Sequence, residues 1–88
     1  MSQEVEVLLI EDNEADAFLI QRELARFIPN AEHTRIETPE QLEEALNRKW
    51  DIILCDFNLP EFDALSVLRQ VREKELDVPF ILVSGLVD

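Results

Sequence analysis

The sequence predicts an α/β domain built on a doubly wound parallel sheet, and three observations carry that reading. Short apolar runs, Val7-Leu8-Leu9-Ile10, Ile52-Ile53-Leu54-Cys55 and Phe80-Ile81-Leu82-Val83, alternate with segments of helical period, which is the pattern of βαβ units. The middle run stays apolar until Asp56, as a strand covered on both faces does. Carboxylates stand where the first two runs end, Glu11 and Asp12 after one and Asp56 after the other. In open sheets of this kind, ligands bind outside the carboxyl ends of the strands, where the strand order reverses.

The first strand is expected over Val5–Ile10. A helix follows over about Glu14–Phe27, with Asn13 as its N-cap and Ala17, Ile20, Leu24 and Phe27 recurring on one face. Pro29-Asn30 stops that helix, and the weak alternation of Glu32–Ile36 reads as a short second strand. Thr38-Pro39-Glu40-Gln41 starts the next helix: Thr38 can cap, Pro39 suits the first helical position and Gln41 completes a capping box. Its inner face would be Leu42, Ala45 and Leu46. The third strand is Ile52–Asp56. The segment 57–62 contains Pro60 and no periodicity, so it is a loop. Asp63 can cap a third helix running to about Lys74, with Leu65, Leu68, Val71 and Arg72 at helical spacing. A fourth strand, Phe80–Val83, follows Pro79.

Composition narrows the function classes. With 88 residues, 47% of them apolar, the chain is expected to be one domain that buries about 60–65% of its unfolded surface. A net charge of -12 argues against nucleic acid and against anionic membrane surfaces, and favours cations and proteins as partners. The single cysteine, Cys55, allows no internal disulfide and fits a reducing compartment. No window approaches the ~18 apolar residues of a membrane span, so a cytoplasmic location is expected. If the first and third strands are neighbours, Glu11, Asp12 and Asp56 share one crevice. Like charges so placed raise one another's pKa. A hard cation relieves them, and Mg²⁺ takes carboxylate, phosphate and water oxygens, which points to a place where metal and phosphate meet.

Those residues are similar to a known family. Leu8-Leu9-Ile10-Glu11-Asp12-Asn13, Asp51-Ile52-Ile53-Leu54-Cys55-Asp56-Phe57-Asn58-Leu59-Pro60 and Val78-Pro79-Phe80-Ile81-Leu82-Val83-Ser84-Gly85 follow in order, and together they resemble the receiver domain of two-component response regulators. The resemblance implies a flavodoxin-like three-layer fold with strand order 2-1-3-4. It implies that Asp56 accepts a phosphoryl group from a histidine kinase or histidine phosphotransfer protein. Glu11, Asp12, Asp56 and the backbone carbonyl of Asn58 would hold Mg²⁺, and Ser84 would donate a hydrogen bond to the phosphoryl group and move with it as a switch. The chain would then be a signalling acceptor and not an enzyme.

Two departures from the family pattern stand out. Ala64 replaces a glycine usual in the family. The family also continues through a further helix, a fifth strand bearing a lysine and an aromatic switch residue, and a last helix. The only lysines here are Lys49 and Lys74, both on predicted helix ends. The expectation is therefore a single receiver domain over 1–88, incomplete at its C-terminus. An uncovered Phe80–Val83 strand would favour self-association by edge pairing.

Most other acids, such as Glu40, Glu43 and Glu73, read as solvated surface. Cys55 reads as a small buried hydrophobe, His33 as a surface residue and Trp50 as a lid on the core's edge. Two competing functions have recognisable signatures. A Mg²⁺-dependent aspartyl phosphatase of the haloacid dehalogenase type needs an acid where Asn58 stands. A receiver-like protein-interaction module would keep the scaffold without being phosphorylated. A flavin carrier shares the fold class, but acids follow the first strand where a flavin phosphate would need hydroxyls and amides.

Overall fold

The computed structural model describes residues 4–56, 63–74 and 77–83. Along the chain run β1 (Val5–Ile10), α1 (Glu14–Phe27), β2 (Ala31–Ile36), α2 (Pro39–Ala45), β3 (Ile52–Asp56), α3 (Ala64–Glu73) and β4 (Phe80–Val83). The strands form one parallel sheet in the order β2-β1-β3-β4. The chain winds from β1 outward to β2, then returns past β1 to β3. That reversal places helices on both faces.

Side-chain alternation along β1 divides the core between those faces. Leu8 and Ile10 join Ile53 and Cys55 under α2 and α3, where Leu42, Ala45, Leu46, Ala64, Val67 and Val71 close the larger cluster. Val7 and Leu9 point the other way and meet Leu54, Ala17 and Ile20 under α1. Val7 through Ile10 are completely buried. Each such side chain contributes roughly 1.5–3 kcal/mol of transfer free energy, so β1 is the keel of the sheet.

The helix starts form as their sequences suggest. Asn13 caps α1 by accepting the Asp16 N–H at 2.9 Å. Thr38 Oγ1 accepts the Gln41 backbone N–H at 3.1 Å, while the Gln41 side-chain Oε1 accepts the Thr38 N–H at 3.2 Å, which closes the capping box. Trp50 is 9% exposed, and its Nε1–H donates to the Ala45 carbonyl at 2.8 Å, satisfying an end carbonyl of α2. The Arg48 guanidinium stacks 4.5 Å above its ring. Trp50 is thus the lid that the sequence suggests.

Three expectations about orientation need correction. Phe27 shares the α1 stripe by spacing, yet it is 78% exposed and only lines a surface groove with Leu24, Leu54 and Val83. In α3 the buried face is Ala64, Val67 and Val71, while Leu65 is 63% exposed. Small and β-branched residues face the sheet there, and the larger leucine stands outward. His33 is half-buried, because β2 presents it beside Val7 on the α1 side of the sheet. Its Nε2 is buried and has no hydrogen-bond partner among the described residues, and burial lowers its pKa from the ordinary histidine value. The second strand also begins at Ala31, one residue earlier than its alternation suggested. β4 is an edge of the described sheet, with Ile81 and Leu82 about half exposed.

Candidate metal centre

β1 and β3 pair in parallel with Ile10 opposite Cys55, so the next residues, Glu11 and Asp56, lie abreast at the carboxyl ends of two adjacent strands. Asp12 follows in the turn that leads to α1. One carboxylate oxygen from each of Glu11, Asp12 and Asp56 lies within 4.8 Å of the others. These are hard oxygen donors on two rigid strand ends and a short turn, a set suited to a divalent cation such as Mg²⁺.

Burial differs sharply within the cluster. Glu11 is 2% exposed, Asp56 is intermediate and Asp12 is exposed. Burial pushes Glu11 up to about 7, with the charge of Asp56 and a hydrogen bond to it acting in the same direction. The Asn13 N–H, donated to Glu11 Oε2 at 3.1 Å, opposes the rise without cancelling it. Desolvation and the neighbouring Asp56 charge thus both disfavour the ionised form of the Glu11 carboxyl. Glu11 is no ordinary helix-capping acid: Asn13, two residues on, performs that task, and Glu11 accepts the N–H of the capping residue itself.

The backbone around Glu11 is tied to β2. Its N–H donates to the Ile36 carbonyl at 3.1 Å, and its own carbonyl accepts from Arg35 Nη1 at 3.0 Å. Arg35 is a residue that sequence reasoning passed over, because its role depends on a partner in a different strand. Cys55 is completely buried, and burial, together with the neighbouring acids, pushes its thiol up to about 12, so it is inert packing. Asn58 and Ser84, two of the expected site residues, lie outside the described residues. Lys74 Nζ is engaged with Asn47 Oδ1 at 3.3 Å.

The response regulator receiver domain family matches this chain over residues 7–88. The chain belongs to that family. The receiver is 34% identical over 83 residues to the cell cycle transcriptional regulator CtrA of Caulobacter vibrioides, covering 90% of this chain and 34% of that protein. The cell cycle response regulator CtrA of Brucella ovis is also 34% identical, over 84 residues, with 91% and 34% covered. The receiver thus spans about a third of the length of these curated relatives.

Among solved structures, the MaeR response regulator bound to beryllium trifluoride superposes with a TM-score of 0.76 at 22% identity, covering 96% of this receiver and 70% of that chain. An aspartate-to-alanine mutant of MaeR bound to sulfate superposes with a TM-score of 0.81 at 18% identity, covering 98% and 71%. At those identities the likeness concerns the fold, and it agrees with the flavodoxin-like order 2-1-3-4. Membership places the receiver in two-component signalling, whose receivers interact with histidine kinases or phosphotransfer proteins. Among the described residues, no helix is long and apolar enough to cross a membrane.

Proposed function

We propose that this receiver accepts a phosphoryl group on Asp56 from a histidine kinase or histidine phosphotransfer protein in the cytoplasm, with Mg²⁺ held by Glu11, Asp12, Asp56 and the carbonyl of Asn58. The observation that carries the reading is the convergence of three carboxylates at the ends of β1 and β3. Asp56 is the nucleophile: one of its oxygens attacks phosphorus in line. The new O–P bond forms as the P–N bond to the donor imidazole breaks, and the imidazole nitrogen keeps the electron pair. Glu11 and Asp12 orient the site and hold negative charge where a cation must sit. Bound Mg²⁺ neutralises charge on the phosphoryl oxygens. Ser84 donates a hydroxyl hydrogen bond to the phosphoryl group once it has arrived.

Beryllofluoride, which mimics an acyl phosphate, tests this reading. Binding that requires both Mg²⁺ and Asp56, and disappears in Asp56→Asn, supports it. A chain that binds none under any metal condition is instead the unphosphorylated interaction module.

Protonation adds a pH dependence. Glu11 is held protonated up to about pH 7 in the metal-free fold, so Mg²⁺ must displace that proton. Calorimetric titration should show Mg²⁺ affinity rising about tenfold per pH unit below 7 and levelling off above it. In the absence of metal the sign is opposite for stability. Because the folded pKa is raised, Glu11's stabilising contribution is complete below its unfolded value and is lost as pH rises through about 7. An affinity independent of pH between 5.5 and 8 would remove Glu11 from the ligand set.

We also propose that the isolated 88-residue polypeptide self-associates through β4, which among the described residues is an edge of the sheet and carries the half-exposed Ile81 and Leu82. With -12 of charge on each copy, association should strengthen as salt screens the repulsion. Light scattering that reports a monomer at high concentration and high salt would exclude it.

A further inference from the structure

Arg35 extends from β2 toward the acidic turn. It stands opposite Leu9 in the β1–β2 ladder, one residue before Ile36, and its side chain is 26% exposed. Its Nη1 donates to the carbonyl oxygen of Glu11 at 3.0 Å and lies 3.7 Å from Glu37 Oε1. That carbonyl belongs to the peptide linking Glu11 to Asp12. The torsions on either side of this peptide plane direct the two side chains, so whatever holds the plane sets where two of the three clustered carboxylates point.

β2 grips the turn at both of Glu11's backbone groups. The Ile36 carbonyl takes the Glu11 N–H at 3.1 Å, and Arg35 supplies a donor to the Glu11 carbonyl. From there the hydrogen bonds continue: the Asn13 N–H reaches Glu11 Oε2, and Asn13 Oδ1 accepts the Asp16 N–H at the start of α1. A guanidinium suits this post, since it stays charged and offers several donors in a rigid plane. We infer that Arg35 is a positioning residue, which fixes the Glu11–Asp12 peptide so that both carboxylates converge with Asp56 on a divalent cation. The inference rests on the metal reading proposed above.

Electrostatics alone makes the opposite prediction, which gives the test its power. A cation beside a metal site repels the metal, so removing it should tighten Mg²⁺ binding. If Arg35 acts by positioning, Arg35→Gln weakens Mg²⁺ binding about tenfold, the size of one charge-assisted hydrogen bond. Arg35→Lys, which keeps a charged donor, recovers part of that loss. Glu37→Gln, which leaves the bond to Glu11 intact, binds Mg²⁺ like the wild type. The measurement is calorimetric titration with MgCl₂ at pH 8, paired with amide NMR spectra of the metal-free proteins. In those spectra the Asp12 and Asn13 amide signals should move in Arg35→Gln, while those of Leu8 and Leu9 keep their positions.

Unchanged or tighter Mg²⁺ binding in Arg35→Gln, with a binding-competent wild type, overturns the positioning role and leaves the metal reading standing. Amide changes spread through the sheet, with a matching fall in thermal midpoint, would mark Arg35 as a general structural residue and overturn the role as well. A wild-type chain that binds no Mg²⁺ overturns the metal reading and this inference with it.

Discussion

Incubated with acetyl phosphate and Mg²⁺, the chain is expected to gain the mass of one phosphoryl group, and the Asp56→Asn variant none. The expected loss is complete because an amide oxygen lacks the charge and lone-pair basicity of the carboxylate that attacks phosphorus. The variant also removes one of three anionic ligands, so metal and nucleophile weaken together. Unfolding does not explain such a loss. Asp56 is only partly buried, and its charge and hydrogen bond both help to push Glu11 up to about 7. Replacing it with asparagine relieves that repulsion, so the metal-free variant should melt no lower than the wild type at pH 8. A phosphoryl gain that survives in Asp56→Asn would place the acceptor elsewhere, and none in the wild type would leave the scaffold without this chemistry.

Leu8→Ala should cost about 2–5 kcal/mol of folding stability, against a total of about 5–15 kcal/mol for a typical domain. Leu8 is completely buried in the central strand, within the cluster closed by α2 and α3. It sits between Ile53 across the ladder and the helices above, so the surroundings have little freedom to collapse into the cavity. Urea denaturation should show the midpoint falling by about 1–3 M with an unchanged slope. Phe27→Ala supplies the contrast. Its ring is larger but 78% exposed, and the expected change is within about 0.5 kcal/mol. Equal effects at the two positions would mean that the described burial is not that of the folded chain.

Leu8 and Phe27 also show how far residues can be read without coordinates. Leu8 lies in a run of four apolar residues that ends in two acids, the pattern of a strand buried on both faces. Asn13, Thr38 and Asp63 were readable as caps because capping is local: donor and acceptor lie within a few residues. Phe27 obeys the same periodicity as Ile20, yet periodicity specifies a stripe and not how far along the helix a neighbour extends. In α3 the helical spacing of Leu65, Leu68, Val71 and Arg72 runs beside that of Ala64, Val67 and Val71, and spacing cannot choose between them. The sheet chose the stripe with smaller side chains.

The candidate site divides along the same line. Glu11, Asp12 and Asp56 announce themselves in the sequence, since acids directly after buried strands are costly unless they serve something. Residue order alone therefore determined the strands, the caps and the identity of the three carboxylates. Their meeting within 4.8 Å was decided by parallel register, which sets Ile10 opposite Cys55 and so carries residues 45 positions apart to one edge. The rise of Glu11 toward neutrality, the buried Nε2 of His33 and the hold of Arg35 on the Glu11 carbonyl were likewise decided only by the tertiary structure. Desolvation, like-charge proximity and cross-strand hydrogen bonds depend on distances through space, and a linear sequence carries those only after the sheet has assembled.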